Sequence, residues 1–337
     1  MNTDSRNWLV SLLKGSAQPV GDAATQAHAV LTASVVCRLD GFSLLRVSGE
    51  DALTFLQGQL SNDVRALDAG RAQFSSYSTA KGRVLASLLL WRNGDDYFLL
   101  LSADIAAAIG KRLSMYVLRS KVRIEVAEPL QLTGAHGPAV EAWLAGLALW
   151  PAQPLDVCGS ADGVMTVALP SGGVILVAQA DQASRLATGA GSDFVAVDFC
   201  AWSLLDIEAG IPWVSSPTQE QFVAQMLNMD IFGALSFSKG CYPGQEIIAR
   251  TRYLGKVKRR MYRVQLPFKA DIGAPLYSPE TADQSIGMVV NVALDDSGCW
   301  RALVVVQSVA WERGVYLDVG FEQKLENLSL PYALIDE

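Results

Sequence analysis

The chain has 337 residues, half of them hydrophobic, and a net charge of −7. This composition can bury a sizeable hydrophobic core and is not typical of a disordered protein. The negative charge argues against a dedicated nucleic-acid binder. No apolar run reaches the roughly 18–20 residues that span a bilayer, and the N-terminus does not resemble a signal peptide. We therefore expect a cytoplasmic protein with more than one subdomain and no membrane contact.

Residues 1–129 are predicted to form an N-terminal α+β lobe. The runs "SVVCRLD" and "FSLLRVSG" are typical of strands, and Asp40-Gly41 between them predicts a hairpin. An amphipathic helix follows in "SGEDALTFLQGQL". Strands are then predicted in "RAQFSSYST", "RVLASLLLWR" and "DYFLLLS", a helix in "ADIAAAIGKRLSMYVL" and a strand in "KVRIEVAE".

A second α+β lobe is predicted for residues 130–260 and a C-terminal antiparallel β-barrel for residues 261–337. The second lobe contains the strand patterns "PLQLTGA", "VMTVAL" and "GVILVAQ" and a helix that Gly210 and Pro212 terminate. Short strands separated by turns fill the last segment. The predicted fold class is thus α+β, with two α+β lobes followed by a small barrel.

The five cysteines are widely spaced, form no CxxC pair, and are accompanied by two histidines. This pattern predicts neither a disulfide framework nor a metal site, and it leaves little material for histidine-dependent catalysis. One cysteine stands out. Cys241 lies in "SKGCYPGQEIIAR", where Pro243-Gly244 predicts a turn and Gln245 the start of a helix. The helix N-terminus and Lys239 both favour a thiolate, whereas the alternative is a buried cysteine in a tight turn.

Two further segments suggest ligand contacts. Six lysine and arginine residues lie between Arg250 and Arg260 without an intervening acid. They predict an anion site for phosphate, a polycarboxylate or RNA, or else a solvated helix end and edge strand. Glu208, in "DIEAGIPW", ends a helix, where a negative charge is unfavourable. A ligand with N–H donors, such as a pterin or guanine edge, would explain it, and so would simple surface exposure.

Four segments together resemble a known family. They are "VSGEDALTFLQGQLSNDV", "KGRV", "IEAGIP" and "KGCYPGQEIIAR". In this order they resemble the YgfZ branch of the folate-binding superfamily that includes the glycine-cleavage T-protein, an aminomethyltransferase. The last segment matches the branch signature Lys-Gly-Cys-Tyr-x-Gly-Gln-Glu at every fixed position. The resemblance covers roughly residues 35–260.

The resemblance implies a three-lobed T-protein-like fold around a central channel that holds tetrahydrofolate. Glu208 would contact the pterin, and Lys239 and Arg250 would hold anionic groups. The implied activity is folate-dependent help in assembling or repairing iron–sulfur clusters in client enzymes, including radical enzymes that modify tRNA. Cys241 matches the cysteine on which that activity depends.

One departure from the T-protein pattern bears on catalysis. T-proteins carry two adjacent acids where this chain has Ala86 and Ser87, so aminomethyl transfer lacks its carboxylate base. A one-carbon transferase is still an alternative, with Asp63 as the nearest carboxylate by motif. An RNA-binding module that uses the residues between Arg250 and Arg260 is the other alternative.

Overall fold

The computed structural model describes residues 19, 21–187, 190, 194–254, 257–281 and 283–334. The helices are α1 (Ala23–Thr32), α2 (Ala52–Gln57), α3 (Ala103–Ser114), α4 (Val140–Gly146), α5 (Ala183–Leu186), α6 (Phe199–Glu208) and α7 (Gln245–Leu254). The strands are β1 (Ser34–Arg38), β2 (Phe42–Ser48), β3 (Ala72–Ser78), β4 (Val84–Asn93), β5 (Asp96–Ser102), β6 (Arg123–Val126), β7 (Gln131–His136), β8 (Val157–Gly159), β9 (Met165–Ala168), β10 (Val174–Ala178), β11 (Phe194–Val197), β12 (Arg259–Leu266), β13 (Pro275–Leu276), β14 (Gly287–Leu294), β15 (Trp300–Gln307) and β16 (Glu326–Leu328).

The first sheet is antiparallel, with strand order β3-β4-β5-β2-β6. Helices α2 and α3 cover one of its faces, where Phe55, Leu56, Leu88 and Leu99 share a buried apolar cluster. The strands and helices predicted between residues 42 and 126 are confirmed. They were predictable because apolar residues recur on the buried side of each element.

The second sheet has six strands in the order β11-β1-β7-β10-β9-β8. Strand β1 pairs in parallel with β11 and antiparallel with β7, whereas β2 pairs with β5 and β6 in the first sheet. The predicted hairpin at Asp40-Gly41 is therefore wrong. Both edges of each strand already have other partners, so the segment crosses between two sheets. The boundaries predicted at residues 129/130 and 260/261 stay predictions.

The third sheet is antiparallel, in the order β13-β14-β15-β12-β16. Its antiparallel character confirms the expected C-terminal pattern. Single bridges from Tyr316 to Tyr277 and to Lys324 connect the regions of the two edge strands. These bridges link the two ends of the sheet, and its closure into a barrel stays a prediction.

Helix α6 lies at the junction of the three sheets and positions one candidate site residue. Trp202 is fully buried, and a Cβ on Gly134 or Gly173 would lie 2.7 Å from its ring. The two glycines therefore let β7 and the turn before β10 approach the helix closely. Glu208 is the last residue of helix α6, and Gly210 follows with φ of 67°.

None of the helices in the described ranges is long and apolar enough to cross a bilayer.

Candidate functional site

Cys241 is exposed, in the loop that precedes α7. The predicted turn and helix start are confirmed, because Gly244 has φ of 83° and α7 begins at Gln245. A Cβ on Gly244 would lie 2.7 Å from the Gly82 Cα and 2.7 Å from the Thr79 carbonyl oxygen. The turn between β3 and β4 therefore packs directly against the cysteine loop. Gly82 and Gly244, which are 162 positions apart in the sequence, thus bring two motifs into contact.

Lys239 anchors the cysteine loop from within the protein. Its side chain is 7% exposed, and Nζ donates to the carbonyl oxygens of Leu60 and Asn62, both at 2.7 Å. Nζ also lies 5.1 Å from the centre of the Tyr242 ring. Burial lowers the pKa of Lys239 from 10.5 to about 8, although Asp63 acts in the opposite direction. The role of Lys239 in holding an anionic ligand stays a prediction.

Ser61 and Asn62, which follow α2, form hydrogen bonds both to β3 and to the chain that leads into the cysteine loop. Asn62 Nδ2 donates to the carbonyl oxygens of Phe74 and Gly233, both at 2.8 Å. Ser61 Oγ donates to the Ala234 carbonyl oxygen at 2.9 Å. These bonds connect β3 of the first sheet to the chain that leads into the cysteine loop. The motif "LQGQLSNDV" thus has a structural role in placing Lys239.

Among the positions considered for one-carbon transfer only Asp63 is a carboxylate, and both hydrogen bonds that it accepts fall on Oδ1. Asp63 accepts hydrogen bonds from Gln57 Nε2 at 2.9 Å and from the Arg65 backbone N–H at 3.1 Å, and so caps a short turn. Ala86 is fully buried. Ser87 Oγ accepts a hydrogen bond from the Val214 backbone N–H at 2.8 Å. Strand β4 therefore presents a hydroxyl that is already engaged, where a base would be needed.

Glu208 forms an ion pair with Arg263 of β12. Arg263 Nη1 contacts carboxylate Oε2 and also donates to the Glu208 carbonyl oxygen at 3.3 Å. The arginine compensates a charge that the helix dipole disfavours. The sequence interpretation missed this partner because Arg263 lies 55 residues away, in a strand whose pattern signalled only β-structure. Oε1 has no hydrogen-bond donor among the described residues.

A cavity of about 250 Å³ lies beside the residue that follows Glu208. Its walls are Phe74, Leu155, Pro170, Ala209, Ile211, Phe232, Pro331 and Tyr332. Tyr332 donates its hydroxyl hydrogen to the Gly210 carbonyl oxygen at 2.8 Å, and burial raises the pKa of Tyr332 to about 12. The C-terminal segment therefore closes one side of this cavity, a contribution that nothing in the sequence interpretation had indicated.

An aromatic line connects this cavity to the cysteine loop. The rings of Tyr332 and Phe232 are 6.5 Å apart, and those of Phe232 and Phe74 are 5.5 Å apart. The Phe74 carbonyl accepts from Asn62, whose own carbonyl accepts from Lys239. In the described part of the chain no hydrogen bond or ion pair joins Glu208 directly to Cys241. The two candidate residues lie at opposite ends of one packed path.

The fold leaves some of the basic residues between Arg250 and Arg260 exposed and buries another. Arg250 is exposed on α7 without a hydrogen-bond or ion-pair partner among the described residues. The Arg252 guanidinium lies 3.9 Å from the centre of the Phe237 ring. Arg260, in contrast, is buried and binds both carboxylate oxygens of Asp230, at 2.8 and 3.0 Å. It cannot belong to a solvent-facing anion site, and Lys256 lies outside the described residues.

No group of three or more histidine, cysteine, aspartate or glutamate side chains in the described ranges is placed to hold a metal ion. The candidate site is therefore built from an exposed thiol on a tightly anchored loop and from a carboxylate beside an aromatic cavity. Arg263 binds the Glu208 carboxylate, and the rings of Tyr332, Phe232 and Phe74 lead from the cavity towards the cysteine loop.

Comparisons with known proteins agree with this architecture. A tRNA-modifying protein YgfZ from Pectobacterium carotovorum subsp. carotovorum is 32% identical over 311 residues, covering 90% of this chain and 93% of the relative. The YgfZ protein of Edwardsiella ictaluri is 33% identical over 231 residues, covering 67% and 69%. The crystal structure of aminomethyltransferase T of the Bartonella henselae glycine cleavage system has a TM-score of 0.76, with 19% identity, covering 92% of this chain and 89% of that one.

No family model matches the chain. The structural likeness confirms the predicted fold class, which is the α+β fold of the glycine-cleavage T-protein. The sequence relatives match nearly the whole chain at about one third identity. The chain therefore belongs to the YgfZ family.

Proposed function

We propose that this protein is a folate-binding accessory factor for iron–sulfur enzymes. It would help to assemble or repair clusters in client enzymes, including those that modify tRNA, and would act in the cytoplasm. The name of its relatives, tRNA-modifying protein, supports the choice of clients. The likeness to an aminomethyltransferase supports a folate pocket.

The observation that carries the proposal is the setting of Cys241. The thiol is exposed, yet its loop is held from two sides, by Lys239 on the carbonyls of Leu60 and Asn62 and by Gly244 against the turn at Gly82. An exposed thiol at a fixed position can reach a soft metal or a partner's sulfur without ordering a loop first. Such a placement suits contact with a cluster or a client protein.

The residues near Glu208 fit a pterin. A pterin is a flat ring with N–H donors along one edge, and Glu208 Oε1 is an acceptor without a donor among the described residues. Phe232, Phe74 and Tyr332 provide apolar walls for a ring in the adjacent cavity. When bound, the folate would supply one-carbon or redox chemistry that the protein's side chains lack. Glu208 would orient the pterin, and Arg263 would hold the carboxylate in place.

Two other functions have less support. A one-carbon transferase needs a carboxylate near the folate nitrogen, but β4 carries Ala86 and Ser87, and Asp63 already accepts two hydrogen bonds on Oδ1. Methylenetetrahydrofolate formed from an amine donor would revive it. RNA contact has one favourable observation, namely that Tyr253 is 68% exposed beside Arg252. Exposed aromatic and arginine side chains are the groups on which single-stranded bases stack.

Complementation tests the proposal. Cys241→Ser should fold and bind folate normally but should not restore iron–sulfur-dependent tRNA modification in a bacterial strain that lacks its own homologue. Cys299→Ser is the matched control, because Cys299 is a half-buried thiol in a turn of the third sheet. Full restoration of modification by Cys241→Ser would refute the role of this thiol.

A further inference from the structure

Trp213 connects elements of different sheets. Its side chain is buried, and its ring lies 4.5 Å from that of Phe42 and 6.2 Å from that of Phe74, both in the first sheet. Its backbone N–H and carbonyl form two hydrogen bonds with the side chain of Asn291 in the third sheet, both at 3.0 Å. Its Nε1 donates to Asp206 Oδ2 of helix α6 at 2.8 Å. The hold on this indole therefore bears on the junction of the sheets.

Asp206 is a buried carboxyl group that the proposed function does not use. Its side chain is 2% exposed. The Ser171 hydroxyl acts on this carboxyl group, yet neither Asp206 Oδ1 nor Ser171 Oγ has a hydrogen-bond partner among the described residues. Two buried polar atoms without partners are costly, and a hydrogen bond between them would satisfy both. Burial raises the pKa of Asp206 to about 7, although Trp213 and Ser171 act in the opposite direction.

The turn that carries Ser171 is fixed against α6. Trp202 lies one helical turn before Asp206, and a Cβ on Gly173 would lie 2.7 Å from its ring. The turn is also closed by its own backbone, because the Leu169 N–H donates to the Gly173 carbonyl oxygen at 2.7 Å. A change in the charge of Asp206 is therefore met by reversing the hydrogen bond to Ser171, and not by moving the turn.

No other charged group acts on Asp206 within the part of the chain that the structure describes. The ionisable side chains on the elements around α6 form pairs elsewhere, namely His28 with Asp296, Arg38 with Asp40, Arg301 with Asp295 and Glu208 with Arg263. Strand β14 has no ionisable residue, and burial raises the pKa of Cys37 in β1 well above its ordinary value. His136 of β7 contacts the turn, since its Cε1 would lie 3.3 Å from a Cβ on Gly172. It is the residue whose titration has to be separated from that of Asp206.

We propose that Asp206 is a proton-controlled clamp on Trp213. When the carboxyl group is protonated, Oδ1 donates its hydrogen to Ser171 Oγ, and Oδ2 accepts an ordinary hydrogen bond from Trp213. When the proton leaves to solvent, Ser171 donates its hydroxyl hydrogen to Oδ1, and the bond from Trp213 becomes charge-assisted and stronger. The indole is then held more firmly. The clamp does not depend on the proposed folate site.

The indole N–H resonance of Trp213 measures the clamp directly, in NMR spectra of the protein with ¹⁵N-labelled tryptophan. Trp213→Phe identifies this resonance by its loss. In the wild type it should move downfield as the pH is raised, with a midpoint of about 7. Asp206→Asn keeps an acceptor for the indole and should abolish the movement. Ser171→Ala should raise the midpoint by about 0.5–1 pH unit, because a donor to the carboxylate is lost.

His136→Gln is the matched control and should keep both the movement and its midpoint. Thermal melting checks that each variant is folded. A Trp213 resonance that does not move in the wild type, that still moves in folded Asp206→Asn, or that stops moving in folded His136→Gln would overturn the proposal.

Urea unfolding provides a second measurement. The folded protein keeps the Asp206 proton up to about pH 7, whereas the unfolded chain releases it near 3.8. The folded state thus binds more protons between these values, and the free energy of unfolding of the wild type should fall with rising pH relative to that of Asp206→Asn. A difference between the two proteins that stays constant over this range would also overturn the proposal.

Discussion

Gly244 is the residue on which the placement of the Cys241 loop most clearly depends. Its φ of 83° lies in the left-handed region, and a Cβ there would lie 2.7 Å from both the Gly82 Cα and the Thr79 carbonyl oxygen. Gly244→Ala adds about 1–2 kcal/mol for the backbone conformation. Forcing an extra methyl group into packed backbone adds roughly 1–3 kcal/mol. We therefore expect the free energy of unfolding to fall by about 2–5 kcal/mol.

Urea unfolding of Gly244→Ala measures this change, and Gly240→Ala is the matched control. Gly240 is next to Cys241, but a Cβ there would have no atom within 4 Å and its φ is not positive. The control should change stability by less than about 1 kcal/mol. If the two variants were equally stable, the contact between the cysteine loop and the turn at Gly82 would not hold the loop, and the argument for a fixed thiol would fail.

Two further predictions concern charge. Burial lowers the pKa of Lys239 to about 8 while the unfolded chain retains 10.5, so the unfolded state binds more protons between these values and stability rises with pH there. Urea unfolding of the wild type should show this rise in the free energy of unfolding, at most about 3 kcal/mol, and Lys239→Met should not show it. If the free energy of unfolding of both proteins rose equally with pH, the prediction would be contradicted. If the protein contacts RNA, tRNA binding should weaken steeply with salt, and Arg250→Glu with Lys258→Glu should reduce that dependence while Lys111→Glu on α3 does not. Unchanged salt dependence in the double variant would exclude this surface.

Local patterns in the sequence predicted most of the strands and helices. Strand β4 is buried along almost its whole length, so its apolar run was unambiguous. Helix α7 could be placed because Pro243-Gly244 sets its start. The pairing of the strands was not predicted correctly. Asp40-Gly41 looks like a hairpin turn, but the competition among all the strands decides which of them pair. Such competition is invisible in a short window of sequence.

The candidate site was predicted in its parts but not in its assembly. Cys241 and Glu208 stood out because each breaks a local expectation. Their supports, Arg263 and Tyr332, lie far along the chain in segments with ordinary patterns. Arg260 shows the opposite error, since it was grouped with a basic run but is buried against Asp230. Tertiary contacts between distant residues decide these roles, and one sequence does not reveal them.

The central claim is that Glu208 and the adjacent cavity form a folate site. The most direct measurement is an anaerobic calorimetric titration of tetrahydrofolate into the wild type, Glu208→Ala and the control Glu141→Ala, whose side chain is exposed on α4. We predict that the wild type and the control bind alike and that Glu208→Ala binds at least tenfold more weakly, because a charge-assisted hydrogen bond to the pterin is lost. Equal binding by all three proteins, or no binding by the folded wild type, would contradict the account.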